Sequence, residues 1–201
     1  MQLHLQTWPA IEAYLRDRGY RAAQAPYARS ERNGELVLTF TVTRGPLHHV
    51  NTVSVGGNTT LSDAELEPLL KLNKGDPFVD ARVSAIATAI EELYRVRGYQ
   101  RVGVKAAIEV LPETGDAGRA RPVDVRFTIV EGPQTTVDAV TILGAEGVPE
   151  AELRAVLGLQ PGRPFYRPLL AADRDALGRV YRNQGYLAVT LGWPDSAIGE
   201  E

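Results

Sequence analysis

Alternation and stripe follow each other in a fixed order through the middle of this chain. Val53 and Val55 alternate with polar neighbours, as in a short half-buried strand, and Gly56-Gly57-Asn58 ends the run. Ser62 and Glu65 then stand at capping-box spacing, with Leu61 and Leu66 placed as a hydrophobic staple. Leu66, Leu69 and Leu70 form the apolar face of a short helix, and Gly75 lies just beyond its end. After Pro77-Phe78, the positions Val83, Ile86, Ile90, Leu93 and Tyr94 predict a longer helix that Gly98 stops. Val102, Val104, Ala106, Ile108 and Val110 alternate with polar residues, which predicts a strand with one dry face. A loop from Pro112 to Pro122 leads to a third strand, with Val123, Val125, Phe127 and Ile129 pointing inward. The order strand, helix, helix, strand, strand predicts an α+β module in which two helices pack on a three-stranded sheet.

The module recurs. Residues 45–99 reappear at 132–186 without a gap, at a constant offset of 87 (132 − 45). Gly57 falls on Gly144, Gly75-x-Pro77-Phe78 on Gly162-x-Pro164-Phe165, and Gly98-Tyr99 on Gly185-Tyr186. An earlier partial copy carries Gly19-Tyr20 and is eight residues shorter before its Gly-Pro (98 − 19 = 79), which places a deletion in its hairpin loop. The chain therefore divides into 1–46, 47–132 and 133–201: a partial module, a complete one and a second partial one. The first is expected to hold a helix with Trp8, Ile11 and Leu15 on one face. Its second strand runs through Ala23, Ala25 and Tyr27, and its third through Leu36, Leu38, Phe40 and Val42. The last is expected to hold a strand at Val140 and Ile142, two helices and a second strand at Leu187–Leu191, with no third-strand pattern after Gly192.

Composition removes several function classes. The net charge of −3 over 201 residues, with signs mixed, makes no case for nucleic acid. Cysteine is absent, and no apolar run is long enough for a membrane helix. Met1 to Trp8 has neither the basic start nor the apolar core of a signal peptide. His48 and His49 are neighbours, so they diverge on a strand, and the only other histidine is His4. No metal site and no cofactor are expected. No G-x-S-x-G, P-loop or H-E-x-x-H motif occurs, and Glu91-Glu92 fall on the solvated side of the helical stripe, so no catalysis is expected. Gly-Tyr reads as a helix stop followed by a core aromatic, and Gly-x-Pro-Phe as a helix start with an aromatic plug. Arg16, Arg18, Arg21, Arg29 and Arg32 read as solvated surface, with partner docking as the alternative.

Val53-x-Val55-x-Gly57-Asn58, Lys74-Gly75-Asp76-Pro77-Phe78, Tyr94-x-x-x-Gly98-Tyr99 and Glu131-Gly132-Pro133 resemble the motifs of POTRA (polypeptide-transport-associated) domains. The third copy departs at Ala145, where the middle one has Asn58, and the first at Leu15, where the later ones have tyrosine. The resemblance implies a periplasmic arm on the inner side of the bacterial outer membrane, ahead of a C-terminal membrane β-barrel that this chain lacks. Its implied partners are unfolded outer-membrane or secreted polypeptides and accessory assembly proteins. A rigid spacer module in an envelope or cell-division protein is the alternative.

In the family the second strand lies at a sheet edge, and an open edge can take on another strand through its main chain. That implies a client-binding edge at Arg101, Val102, Gly103, Val104, Lys105 and Ala106. Arg101 and Lys105 as guards against aggregation are the other reading of the same edge. Gly45-Pro46 and Gly132-Pro133 join consecutive modules, where a free glycine dihedral followed by a fixed proline one makes a restrained hinge.

Overall fold

The computed structural model describes residues 7–113 and 120–192. Residues 1–6 of the stretch read against a signal peptide, His4 among them, the centre of the predicted loop and the tail after Gly192 lie outside them. The chain falls into two compact units, residues 1–91 with 103–131 and residues 92–102 with 132–201.

The first unit opens with helix α1 (Thr7–Arg16), on which Ile11 and Leu15 are half-buried. Strands β1 (Tyr27–Arg32) and β2 (Glu35–Phe40) form an antiparallel hairpin in which Tyr27 faces Phe40 and Arg32 faces Glu35. Its turn is two residues, Asn33 and Gly34, both at positive φ (52° and 79°), a turn whose twist matches that of paired strands. The expected third-strand residues of this copy are not sealed inside: Leu36 and Val42 are 42% and 48% exposed. Among the described residues β2 has only β1 beside it, so one flank of each side chain lacks a neighbour.

The middle copy holds β3 (Leu47–Gly56), α2 (Asp63–Leu66), a 3₁₀ turn (Glu67–Leu69), α3 (Asp80–Val96), β4 (Gly103–Val110) and β5 (Ala120–Val130). β3 begins six residues earlier than Val53 (53 − 47), because Leu47 to Val50 pair with the start of β5. Its sheet runs β3-β5-β4, with β3 parallel and β4 antiparallel to the central β5. Glu65 caps α2 by accepting from the Ser62 N–H at 3.0 Å, and the staple residues Leu61 and Leu66 are buried. Val123, Val125, Phe127 and Ile129 of β5 are buried, as are Val83, Ile86 and Ile90 of α3. Each such side chain contributes about 1.5–3 kcal/mol relative to exposure.

One irregularity sets the register. Between Val50 and Thr52 the β3·β5 ladder slips by a residue. There the Thr52 hydroxyl and the Asn51 amide both donate to Asp124 Oδ1, at 2.6 and 2.8 Å. Those two donors hold the Asp124 carboxyl below the usual carboxylate range.

β4 is drier at its start than at its end. Val104 and Ala106 are half-buried, but Ile108 and Val110 are exposed, so the predicted dry face does not run the whole strand. An edge strand has a neighbouring strand on one flank only, and its outer side chains stay wet.

In the second unit, α4 (Glu150–Ala155) and α5 (Pro168–Asn183) follow the expected order. Val148, Leu153 and Tyr181 form a small core, against which Ile142, Ala145, Leu177, Val180 and Val189 pack. The two strands expected at Val140–Ile142 and Leu187–Leu191 are not formed. The sheet order of the middle copy explains this. There the first and second strands never touch; each pairs only with the third, which lies between them. Among the described residues the last copy has no such central strand, so the flanking segments keep their apolar contacts and lose their ladder.

The last copy also has a buried acid. Asp173, 4% exposed, stands where the middle copy has Ile86 (173 − 87). Its two oxygens accept from the N–H groups of Gly158 (2.7 Å) and Leu159 (2.9 Å). We expect Asp173→Ile to leave both donors unsatisfied and to cost this copy about 2–3 kcal/mol, read by urea denaturation. Asp173→Asn, which keeps one acceptor oxygen, should cost less. Equal, small losses in both variants would show that the clamp contributes nothing.

Candidate functional site

The outer flank of β4 is the open edge of the sheet. Among the described residues the strand pairs with β5 alone, from Gly103 opposite Val130 to Val110 opposite Val123. Of the six predicted edge residues, Gly103, Val104, Lys105 and Ala106 lie in β4, while Arg101 and Val102 precede it. Val102 is buried and unavailable to a client.

One edge donor is already engaged. The Val104 N–H donates to Glu91 Oε1 of α3 at 3.1 Å, so Glu91 is not on a purely solvated face. This bond places the Val104 N–H on the side away from β5, and residues alternate in an antiparallel ladder. The main-chain groups of Ala106, Ile108 and Val110 therefore point outward as well. Open backbone thus begins at Ala106, within the predicted edge, and continues to Ile108 and Val110, while the Val104 N–H is engaged. Periodicity could not show this, since Glu91 is thirteen residues away (104 − 91) on another element.

The junctions between copies are built twice to one plan, and both use motifs read as core elements. At the first, the His48 N–H donates to Gly19 O at 2.8 Å, and His48 O accepts from the Phe78 N–H at 3.0 Å. At the second, Thr135 donates to Gly98 O at 2.8 Å and accepts from Phe165 at 2.9 Å. Gly-Tyr of one copy is thereby bound to Gly-x-Pro-Phe of the next through a single strand-start residue. Pro77 does not open the long helix, which begins at Asp80. It bridges His49, as Pro164 bridges Thr136. Gly19 and Gly98 sit at φ 88° and 90°, and an added Cβ would fall 2.4 and 2.5 Å from the carbonyls of His48 and Thr135. Glycine here both ends a helix and admits the next copy's backbone.

The predicted hinge residues are part of these junctions. Gly45 and Gly132 have φ of 69° and 70° and face matching positions, Ala22 and Arg101. Glu131, beside Gly132, accepts from the N–H groups of Thr59 (2.7 Å) and Thr60 (2.8 Å) and so ties the turn after β3 to the end of β5.

Side-chain latches differ between the junctions. Arg21 forms a forked pair with Asp80 at the first, at 2.9 and 2.7 Å. At the second, Gln100 donates to the Phe165 carbonyl, and the Tyr166 hydroxyl donates to Glu92, which raises the tyrosine pKa. Two further arginines of the basic run are held locally, Arg16 by Glu12 and Arg18 by the Tyr14 carbonyl and ring. Among the described residues no group of three or more His, Cys, Asp or Glu could hold a metal ion. No described helix is long and apolar enough to cross a membrane.

The family model for POTRA, "surface antigen variable number repeat", matches residues 48–132 and 135–194. A protein of Treponema pallidum (strain Nichols) named as an outer membrane protein assembly factor is 29% identical over 157 residues, which are 76% of this chain and 18% of that relative. Among solved structures, the third to fifth POTRA domains of Haemophilus influenzae BamA match at 23% identity and a TM-score of 0.48, over 86% of this chain and 67% of that one. BamA from Haemophilus ducreyi lacking POTRA domains 1–3 matches at 22% identity and a TM-score of 0.45, over 62% of this chain and 22% of that one. With well over half of its length matched in two successive blocks, this chain belongs to the POTRA family.

Proposed function

We propose that this chain is a periplasmic arm of an outer-membrane protein assembly or translocation machine. It receives extended segments of unfolded outer-membrane or secreted polypeptides and docks accessory assembly proteins. A C-terminal membrane β-barrel in the full-length protein belongs to the same reading. Family membership and the name of the Treponema pallidum relative support the general role.

The observation that carries client binding is the edge position of β4, with outward backbone at Ala106, Ile108 and Val110. Main-chain pairing recognises any extended chain, which suits a binder of many clients. The junctions favour a second contribution. Backbone bonds repeated at both would hold successive copies in a set relation, as a rigid spacer requires.

Ile108→Pro tests the client edge. Proline is tolerated where the lost N–H faces away from the ladder, so the fold should survive. Photo-cross-linking of an unfolded outer-membrane polypeptide to β4 should fall roughly tenfold, since a main-chain bond is lost and the ring obstructs the approaching strand. Undiminished cross-linking in a folded variant would reject strand addition on β4 and leave the spacer reading.

A further inference from the structure

His48 is 6% exposed, and its Nδ1 is the one buried side-chain polar atom without a hydrogen-bond partner among the described residues. Its own N–H makes the backbone bond between the copies, to Gly19, while its carbonyl accepts from Phe78 within the middle copy. Arg121 of β5 stands opposite His48 in the sheet register, and Arg21, from the loop after α1, lies over the Phe78 ring at 5.4 Å; both charges disfavour an imidazolium at His48. Their carboxylate partners, Asp80 and Glu113, are already turned toward them. The corresponding residue of the second junction is Thr135 (48 + 87), which does not titrate in this range.

We infer that the first junction is a proton-sensitive joint, in which protonation of His48 at mildly acidic pH releases the first copy from the middle one while the second junction stays closed. An imidazolium seeks to donate from both nitrogens, and Nδ1 makes no hydrogen bond in the closed joint. The closed joint also keeps water from the ring and sets two positive charges near it. Opening hydrates the imidazole and carries the Arg21 charge away with the first copy, while Arg121 stays opposite His48 in the sheet of the middle copy.

The direction follows from linkage. Burial, opposed by the Gly19 and Pro46 carbonyls and helped by Arg21 and Arg121, holds the His48 pKa below its ordinary 6.5. In the open joint the ring is hydrated and its pKa moves back toward the ordinary value. Closure is therefore strongest above pH 6.5 and weakens as pH falls from there toward the lowered pKa. The opening constant rises by at most about tenfold per pH unit across that window.

NMR on the full chain between about pH 8 and about pH 5, the range of histidine switches, tests this. The His48 ring signal should titrate below its ordinary value. Amide-exchange protection at His48, whose N–H bonds Gly19 of the first copy, should fall with pH, while that at Thr135 holds. His48→Gln, which keeps a polar side chain but cannot titrate, should flatten the first response. Ordinary titration of His48, parallel loss at both junctions, or an undiminished slope in His48→Gln would each overturn the proposal. Should that variant fail to fold, the comparison of the two junctions in the unaltered chain still decides.

Discussion

Gly57→Ala is expected to unfold the middle copy, whereas Gly144→Ala at the equivalent site of the last copy should cost it little. Both glycines have positive φ, 87° and 67°, so both substitutions carry a dihedral cost of about 1–2 kcal/mol. Only Gly57 adds a collision. Its Cβ would lie 2.1 Å from the Ile129 carbonyl oxygen and 3.1 Å from the carbon of the same group, while nothing lies within 4 Å of Gly144. Ile129 belongs to the buried central strand, so it cannot yield without breaking a ladder on one side or the other. A total loss of at least about 4 kcal/mol consumes most of the stability of a module this small. Urea denaturation read by amide exchange in β5 and in α5 would separate the two copies. A Gly57→Ala protein with a near-native midpoint in β5 would refute the close approach.

Gly98→Ala is expected to break the second junction without unfolding the middle sheet. An added methyl group would sit 2.5 Å from Thr135 O and press on Gln134 Cγ and Pro164 Cβ, both at 3.3 Å. Relief requires Thr135 to withdraw, which gives up its 2.8 Å bond to Gly98. With the dihedral cost, we expect a loss of about 3 kcal/mol at the junction. Gly185→Ala is the control: φ is 93°, but nothing lies within 4 Å, so only the dihedral term applies. Amide protection at Thr135 and Phe165 should drop about a hundredfold for Gly98→Ala, by the usual tenfold per 1.4 kcal/mol. Equal losses from both alanines would mean that glycine serves only the helix end.

Much of the fold is legible in the residues. The inward set of β5, the stripe of α3, the capping box at Ser62 and Glu65 and the positive φ of the Gly-Tyr glycines all rest on local rules. Side-chain direction and dihedral preference are properties of a few neighbouring residues. Asn33-Gly34 was equally readable as a two-residue hairpin, since both central residues of that turn need positive φ. The candidate site was less legible. The sequence placed the edge on this strand but could not show that the Val104 N–H is engaged, because Glu91 reaches it from a different element.

The amino-acid sequence by itself determined the repeated module, the order of its elements and the apolar side of each. Which strand lies in the middle was decided by the tertiary structure, since periodicity marks faces and says nothing of partners. That choice has large consequences: among the described residues the last copy has no central strand, and neither Val140–Ile142 nor Leu187–Leu191 is paired as a strand. Tertiary contacts likewise gave Gly19 and Gly98 their second role and buried His48 Nδ1 at the first junction without a hydrogen-bond partner. In each case the deciding neighbour lies about twenty residues or more away in sequence, beyond the reach of any local pattern.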